Sequence, residues 1–308
     1  MKNNNEIVIS VNNLTKKFDD IIAVDNINLQ IYKGESFALL GPDGAGKTTT
    51  LRLLCGILLP DSGDIYIKNI NIVKHAEKSR DQIGYMPQRF SLYENLSVIQ
   101  NINFFSELYN VEKAIRQKRI REYLDSSRLT PFSNRLARQL SGGMRQKLAL
   151  ICSIIHNPPI SLLDEPTTGV DPVSRRDFWK ILHRLLASGV TLVISTPYMD
   201  EAERCSRIGL IHNGRILVVD SPNELKKKIT GKVMEIKCNE PHIVSEIVKT
   251  AKSVISTQTY SDKLRILLNK GADEQETISL LKSKGVNFTD IREVLPNVED
   301  IFISRLTK

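Results

Sequence analysis

The sequence predicts an α/β domain, followed by a small α+β domain, and three observations support this prediction. First, an apolar strand at 37–40 leads into a glycine-rich turn and then an amphipathic helix. Second, further apolar strands, the clearest at 160–164, alternate with helical patterns, as in a parallel sheet with helices on its faces. Third, the composition changes near Lys226-Lys227-Lys228. We therefore place one domain at 1–228 and a second at 229–308.

Length and composition restrict the class of protein. A chain of 308 residues with 41% hydrophobic residues is long enough for about two domains with packed cores. No apolar run approaches the ~18 residues of a membrane-spanning helix, and the polar start at 1–5 lacks the apolar core of a signal peptide. The four cysteines form no CxxC pair, and the five histidines show no ligand spacing. These features predict a cytoplasmic protein with reduced thiols and no protein-bound zinc.

The formal net charge of +8 is compatible with nucleic-acid binding, with an anionic membrane surface, or with a solvated surface alone. The chain has no long lysine run, and it has no basic strand interleaved with aromatic residues that would stack on bases. We therefore predict no nucleic-acid partner.

The N-terminal segment predicts antiparallel strands. Ile7 to Phe18 alternates in part and predicts an edge strand, and Val24 to Ile31 alternates with a period of two. A turn at 60–63 precedes a short strand at 64–67. Together these strands predict an antiparallel β subdomain.

The segment after the strand at 37–40 matches the pattern G-x-x-x-x-G-K-T of a phosphate-binding loop. Glycines let backbone N–H groups converge on phosphate oxygens, and the N-terminus of the following helix, predicted over Thr49–Leu59, adds partial positive charge. We expect Lys47 to bind the β- and γ-phosphates and Thr48 to hold Mg²⁺. The candidate phosphate-binding residues are Gly41, Pro42, Asp43, Gly44, Ala45, Gly46, Lys47, Thr48 and Thr49.

Residues from about 89 to 157 predict a helical subdomain. Helices are predicted over 98–109 and 112–124, and the second has a charged, solvated face. Ser141 is a good N-cap for a third helix with an apolar stripe, and Pro158-Pro159 ends that helix.

The buried strand at 160–164 brings two acidic residues, Asp164 and Glu165, to its carboxyl end. Asp164 is suited to hold a metal ion, and Glu165 to polarise an attacking water as a general base. An acidic pair at a strand end is common by chance. Its weight therefore depends on the motifs around it.

The remainder of the chain completes the pattern. Asp171-Pro172 begins a helix, a buried strand follows at 190–196, and a short helix is predicted at 198–206. His212-Asn213-Gly214 predicts a hairpin turn. From residue 232 onward, the order strand, helix, strand, strand, helix, strand predicts a ferredoxin-like unit that carries no catalytic motif.

Leu140-Ser141-Gly142-Gly143 narrows the interpretation. With the phosphate loop before it and Asp164-Glu165 after it, the chain resembles the ATP-binding cassette (ABC) ATPases over about residues 6–225. Gln88 stands where these proteins carry a glutamine loop, and Gly169-Val170-Asp171 resembles their D-loop. The resemblance implies a P-loop NTPase fold of ABC type, with a mixed-sheet core, an antiparallel β edge subdomain and a helical signature subdomain.

The resemblance also implies roles in binding ATP and Mg²⁺. Phe18 stands where the family places an aromatic ring that stacks on adenine. Ser141, Gly142 and Gly143 would contact the γ-phosphate of an ATP held by a second cassette, so that two cassettes close over two ATP molecules.

Catalytic and metal-binding roles follow in the same way. The resemblance implies that Glu165, Gln88 and Lys47 act in catalysis, and that Thr48, Gln88 and Asp164 hold Mg²⁺.

Finer features resemble multidrug or antibiotic exporters, among them Gly84–Gln88, Asp200–Glu203 and the tail Pro296–Phe302. Because no membrane span is predicted, the resemblance implies a separate integral membrane permease and a position at the inner face of the cell membrane. The segment Arg89 to Leu96, after Gln88, resembles the region that contacts such a permease.

One position departs from the family pattern. Pro197 stands where these ATPases carry a histidine that contacts the γ-phosphate, and proline has neither a side-chain donor nor a titratable group. We predict that ATP held by Lys47 is hydrolysed slowly, and that the second cassette is a different chain, or that this chain originated as half of a tandem cassette. Three alternatives remain: a homodimer in which Glu165 suffices, a binding-only regulatory cassette, and a non-transport ABC ATPase.

Overall fold

The computed structural model describes residues 6–89 and 92–306, without the side chains of residues 76, 80, 305 and 306. The chain divides into two compact units after Val219, and each is described by itself. Within these described ranges, no helix combines the length and the apolar character that crossing a membrane requires.

The strands, in chain order, are β1 (Ile7–Phe18), β2 (Ile21–Tyr32), β3 (Ser36–Leu40), β4 (Ser62–Ile67), β5 (Ile70–Asn71), β6 (Ile83–Met86), β7 (Ile160–Asp164), β8 (Thr191–Thr196), β9 (Arg207–His212), β10 (Arg215–Asp220), β11 (Val233–Cys238), β12 (Val254–Thr259), β13 (Lys263–Leu268) and β14 (Phe288–Val294). The α-helices are α1 (Lys47–Leu54), α2 (Val98–Leu108), α3 (Lys113–Ser127), α4 (Gly142–Ile154), α5 (Pro172–Ala187), α6 (Met199–Ala202), α7 (Pro222–Lys227), α8 (Pro241–Val248), α9 (Glu274–Ser283) and α10 (Val298–Leu306).

A four-stranded antiparallel sheet has the order β2-β1-β4-β5. The prediction that β1 is an edge strand was wrong, because β1 pairs with β2 on one side and β4 on the other. The alternation within one strand reveals its buried face but not its number of neighbours. The second neighbour is recruited from beyond α1, which no local pattern can specify.

A six-stranded sheet has the order β10-β9-β3-β8-β7-β6, and the strands from β9 through β6 pair in parallel. The hairpin between β9 and β10 turns at Asn213 (φ 46°) and Gly214 (φ 74°), as a type I′ turn requires. Parallel strands bring their carboxyl ends to one edge of the sheet, where ligands bind in open α/β folds. The loops after β3, β6, β7 and β8 therefore meet at this edge.

The first helix is shorter than predicted. It begins at Lys47 and ends at Leu54, so Leu58 lies outside it. The Gly56 N–H donates to the Leu53 carbonyl (3.0 Å) and the Ile57 N–H to the Arg52 carbonyl (3.0 Å), with Gly56 at φ 68°. This is a Schellman ending, and Gly56 was the sequence signal for it. The short helix predicted at 198–206 is also reduced, to a single turn at Met199–Ala202.

Among the described residues of the first unit, apolar side chains form two clusters that stabilise it. One joins the antiparallel sheet and α1 to β7, β8 and β9, with Phe37 and Leu51 fully buried. The other holds α2, α3 and α4 together through residues such as Ile102, Leu124 and Leu148. The first cluster fixes the loops at the sheet edge, and the second supports the segment that carries Ser141.

The second unit has strand order β12-β13-β11-β14, and all its pairings are antiparallel. Helices α8 and α9 cover one face through Val244, Val248 and Leu281. This is the βαββαβ arrangement that the sequence predicts, with the sheet order of a ferredoxin-like fold. A charged pair, Arg265 Nη2 to Asp300 Oδ2 at 2.9 Å, attaches α10 to β13.

Candidate nucleotide-binding site

The glycine-rich loop packs closely against the neighbouring strands. A Cβ atom on Gly41 would lie 2.3 Å from the Ile211 carbonyl oxygen, and one on Gly46 would lie 2.3 Å from the Ala23 carbonyl oxygen. Gly46 also has φ 100°, which side chains rarely adopt. These two positions require glycine, and they hold the loop at the start of α1.

Lys47 is buried and points back over the loop. Its Nζ donates to the carbonyl oxygens of Gly41 (2.9 Å) and Pro42 (3.0 Å), and lies 3.1 Å from Glu165 Oε1. A buried ammonium is stable only with such acceptors and a counter-charge, since its desolvation costs several kcal/mol. The loop and the end of β7 are thus joined by an ion pair.

Asp164 lies at the carboxyl end of β7. Its Oδ1 accepts hydrogen bonds from Thr48 Oγ1 (3.0 Å) and Ser195 Oγ (2.6 Å). Its Oδ2 is buried and has no hydrogen-bond partner among the described residues. Burial raises the pKa of this carboxyl, and the two hydrogen bonds offset only part of that rise. A buried carboxylate oxygen without a donor, beside a threonine hydroxyl, fits a hard divalent cation such as Mg²⁺.

Glu165 follows in a left-handed conformation, φ 47°, which turns its side chain out of the strand direction. Its N–H donates to the carbonyl oxygen (3.1 Å) and Oγ (2.9 Å) of Ser195. Its Oε2 accepts from Gln88 Nε2 (2.9 Å) and Thr168 Oγ1 (3.4 Å). The predicted catalytic residues Lys47, Gln88 and Glu165 are therefore in direct contact.

A cleft of about 510 Å³ opens beside these groups. Its polar wall includes Lys47, Thr48, Gln88 and Glu165, and its apolar wall is the segment Ile21–Ala23. The remaining lining residues are Asp43, Gly44, Gly46, Thr49 and Asn213. A lining that combines hydrogen-bonding and charged groups with an apolar segment suits a molecule with phosphates at one end and a flat ring at the other.

Phe18 is half-exposed and is not among the described residues that line this cleft. It pairs with Ile21 across the turn between β1 and β2, so it lies on the hairpin that supplies the apolar wall. Its stacking on adenine stays a prediction.

The signature segment lies at the start of α4. Ser141 is the N-cap, as predicted, and its Oγ accepts from the Met144 N–H at 3.3 Å. A Cβ on Gly143 would lie 2.4 Å from Ser174, whereas no described heavy atom lies within 4 Å of one on Gly142. Within the described chain, none of the three residues lines the cleft that holds Lys47. The action of these residues on a second cassette stays a prediction.

The sequence did not reveal the role of Ser195. This residue supports both acidic residues, because it donates to Asp164 and accepts from the Glu165 N–H. It is paired with Asp164 in the parallel register of β7 and β8. The available sequence signal for this role was the pair of buried strands predicted at 160–164 and 190–196, because adjacent parallel strands place their last residues side by side. Pro197 follows β8, and the Gly41 N–H donates to the Thr196 carbonyl at 3.4 Å.

Comparison with known proteins agrees with this geometry. The family described as "ABC transporter" matches residues 24–168, and "ATP-binding protein DrrA1-3-like, C-terminal domain" matches residues 221–306. The daunorubicin resistance ATP-binding protein DrrA3 of Streptomyces coeruleorubidus is 31% identical over 303 residues, which cover 97% of this chain and 95% of that protein. The chain belongs to the ABC transporter ATP-binding proteins. The resemblance inferred from the motifs is confirmed.

Other members of this ABC family extend the comparison. The probable multidrug ABC transporter ATP-binding protein YbhF of Escherichia coli is 42% identical over 221 residues, which cover 72% of this chain and only 38% of YbhF. The solved dimeric structure of the ATP-binding cassette MJ0796 bound to ADP and Pi is 30% identical, with a TM-score of 0.63. It covers 69% of this chain and 98% of MJ0796. The ABC cassette fold predicted from the sequence is confirmed.

Proposed function

We propose that this chain binds ATP with Mg²⁺ and hydrolyses it, as the ATP-binding subunit of an ABC exporter. The observation that supports this proposal is the convergence of the ends of β3, β6 and β7 on one cleft, where Lys47, Gln88 and Glu165 are in contact. The names of the relatives, multidrug transport and daunorubicin resistance, favour export of drug-like molecules.

The chain's own residues suit this ligand. The N–H groups of the loop and the Lys47 ammonium would bind the β- and γ-phosphates, and Thr48, Asp164 and Gln88 would hold Mg²⁺. The metal ion supplies charge neutralisation at the phosphates. The apolar segment Ile21–Ala23, with Phe18 on the same hairpin, would accept the adenine.

Glu165 is suited to take the proton of the attacking water. Its Oε2 is oriented by the Gln88 amide, and its Oε1 is paired with the Lys47 ammonium at 3.1 Å. When Lys47 binds phosphate instead, Glu165 Oε1 would leave this ion pair and would be open to accept the proton of the water.

Pro197 supports slow hydrolysis at this site, since the position offers no donor to the γ-phosphate. A second cassette with its own histidine would then supply the faster site, which favours a heterodimer, or an origin as half of a tandem cassette. Two further functions fit the same observation: a binding-only regulatory cassette, and a homodimer in which Glu165 alone suffices.

We further propose that a cytoplasmic loop of a membrane permease docks on this chain and keeps it at the inner face of the membrane. An apolar patch suits this partner. Ile57, Leu59 and Leu108 are each about three-fifths exposed, and Ile57 and Leu108 line a depression of about 580 Å³. Exposed apolar patches of this kind mark protein contacts. The predicted contact segment 89–96 includes residues 90 and 91, which lie outside the described residues.

The ATPase proposal is tested with the purified chain. We expect Mg²⁺-dependent ATP binding, slow phosphate release, loss of that release in Glu165→Gln, and a rate increase of about 10-fold in Pro197→His. A fast wild-type rate that Pro197→His leaves unchanged would contradict the slow site. Failure to bind ATP with Mg²⁺ would refute the proposal as a whole.

Transport is tested separately. When a tagged chain is isolated from detergent-solubilised native membranes, we expect an integral membrane protein to co-purify with it. Substituting both Ile57 and Leu108 by serine should abolish this association without changing ATP binding. Recovery of nucleic acid instead of a membrane protein would favour the non-transport ABC ATPase.

A further inference from the structure

Glu201 is a carboxylate that the reaction proposed above does not use. It lies in the single turn α6 and is only 1% exposed. A buried carboxylate is strongly destabilising unless several donors satisfy it. Its partners therefore indicate what it does.

In the part of the chain that the structure describes, the Glu201 carboxylate has three partners, and each comes from a different segment. Thr167 Oγ1 donates to Oε1, and Thr196 Oγ1 donates to Oε2 at 2.9 Å. The guanidinium of Arg175, in the first turns of α5, lies 3.5 Å from Oε1 and stacks over the ring of Tyr198. The carboxylate thus joins the segment after β7, the segment after β8 and the start of α5.

Each joined segment adjoins a group of the candidate site. Thr167 lies two residues after Glu165, and the next residue, Thr168, donates to Glu165 Oε2. Thr196 directly precedes Pro197, and its carbonyl accepts from the Gly41 N–H at the start of the phosphate loop. α5 is capped by Asp171, in the segment that resembles a D-loop.

We infer that Glu201 is a positioning residue, which holds the segment carrying the general base at a fixed separation from the segment that follows β8 and supports the phosphate loop. This inference rests on the proposed ATPase function. Reaction rates depend on the placement of a general base to within a fraction of an ångström, whereas phosphate binding by the loop does not require that placement. Loss of Glu201 should therefore reduce turnover much more than ATP affinity.

The Glu201→Gln variant replaces one carboxylate oxygen by an NH₂ group while keeping the shape of the side chain. Its amide can accept from only one threonine through its oxygen, and it loses the ion pair with Arg175. We expect kcat for ATP hydrolysis to fall at least about 10-fold, while Kd for a fluorescent ATP analogue changes less than about 2-fold. Asp200→Asn is the matched control, because it removes an exposed carboxylate 4.0 Å from Arg175 on the same turn while Glu201 keeps both threonine hydrogen bonds, and both values should stay at the wild-type level.

Two further variants protect the test against a folding defect. Thr167→Val and Thr196→Val each remove one hydroxyl and leave the carboxylate in place. Each should lower kcat without changing Kd. In the double variant, kcat should fall by less than the product of the two single-variant fold-reductions, because both threonine hydroxyls act through one carboxylate.

Hydrogen exchange supplies a reading that does not depend on hydrolysis. In Glu201→Gln, we expect the amides of 168–170 and of Tyr198 to exchange faster together, whereas Asp200→Asn leaves them unchanged. If the wild-type chain does not hydrolyse ATP, the ATPase proposal fails, and this exchange measurement still decides whether Glu201 joins the two segments. An unchanged kcat in Glu201→Gln, a parallel loss of kcat, affinity and thermal stability, or exchange that rises in one segment only would each overturn the inference.

Discussion

The phosphate loop and the signature segment are both glycine-rich and both begin a helix, yet the structure treats them differently. At the loop, Gly41 and Gly46 lie against backbone atoms, and the buried Lys47 is paired with Glu165. At the signature segment, Ser141 caps the helix and Gly143 is buried against Ser174, but Ser141 and Gly142 are exposed and the position of Gly142 is open. The lysine of the loop is paired within the chain, whereas Ser141 and Gly142 present a surface. This difference supports the prediction that the signature segment serves a nucleotide held by another cassette.

The largest expected effect is on the affinity for Mg²⁺-ATP, which substitutions in the two regions should change to different extents. Lys47→Ala should weaken binding of Mg²⁺-ATP to the isolated chain by about 100-fold, because it removes about 3 kcal/mol of charge-assisted hydrogen bonding. Ser141→Ala should leave that affinity within about 2-fold, since Ser141 does not line the cleft. Titration calorimetry measures both. An equal loss in the two variants would place both segments on the same nucleotide and would remove the contrast.

Gly41 of the loop and Gly142 of the signature segment should differ next in their effect on stability. Gly41→Ala should lower the free energy of unfolding by about 1–3 kcal/mol, because its methyl group overlaps the Ile211 carbonyl. Gly142→Ala should change it by less than about 0.5 kcal/mol, since its surroundings are open. Urea denaturation of the two variants measures this. If Gly142→Ala is as destabilising as Gly41→Ala, the signature segment is packed internally and the comparison fails.

Asp164→Asn should raise stability while abolishing Mg²⁺-dependent nucleotide binding. The asparagine oxygen can keep both hydrogen bonds that Asp164 Oδ1 accepts, and a neutral amide replaces the unpaired Oδ2. Burial raises the folded-state pKa of this carboxyl, so its charge destabilises the fold above the unfolded-state pKa. We expect a gain of about 1 kcal/mol at neutral pH.

The pH dependence of the stability gain in Asp164→Asn provides its control. The cost of the charge is relieved as the pH falls through the folded-state pKa, so the advantage of Asp164→Asn should shrink in acid. Thermal melts from neutral to acidic pH measure it. An advantage that grows in acid would mean that the Asp164 charge stabilises the fold.

The smallest effect is that of the cap. Ser141→Ala removes the side-chain acceptor for the Met144 N–H and should cost about 0.5–1 kcal/mol of stability. Ser141→Asp, which can also cap, should restore stability. If both variants are as stable as the wild type, the hydroxyl is held for a partner and not for the helix.

The sequence could predict the features that depend on residues close together in the chain, and it could not predict those that depend on distant residues. The loop, the acidic pair and the Ser141 cap are local motifs, and the chain order of the second unit follows from local periodicity. The position of β1 between β2 and β4 depends on a strand that follows α1, so the alternation within β1 wrongly predicted an edge strand. The contact between Glu201 and Thr167 spans 34 residues and depends on the parallel pairing of β7 with β8, which brings the two segments together. Gly56, in contrast, was a local signal that an extended apolar pattern obscured.

Asp164 Oδ2 has no hydrogen-bond partner among the described residues and is the proposed Mg²⁺ ligand, so it connects nucleotide binding to the lifetime of the protein in the cell. A ligand that binds only the folded state stabilises it, by about 2.7 kcal/mol at 100 times Kd. Proteases act on transiently opened chains, so a fall in ATP concentration should shorten the half-life of this subunit. Limited proteolysis with and without Mg²⁺-ATP would measure this, and equal rates would exclude it. The ATP concentration in the cell would then set both the rate of ATP hydrolysis by this chain and its abundance.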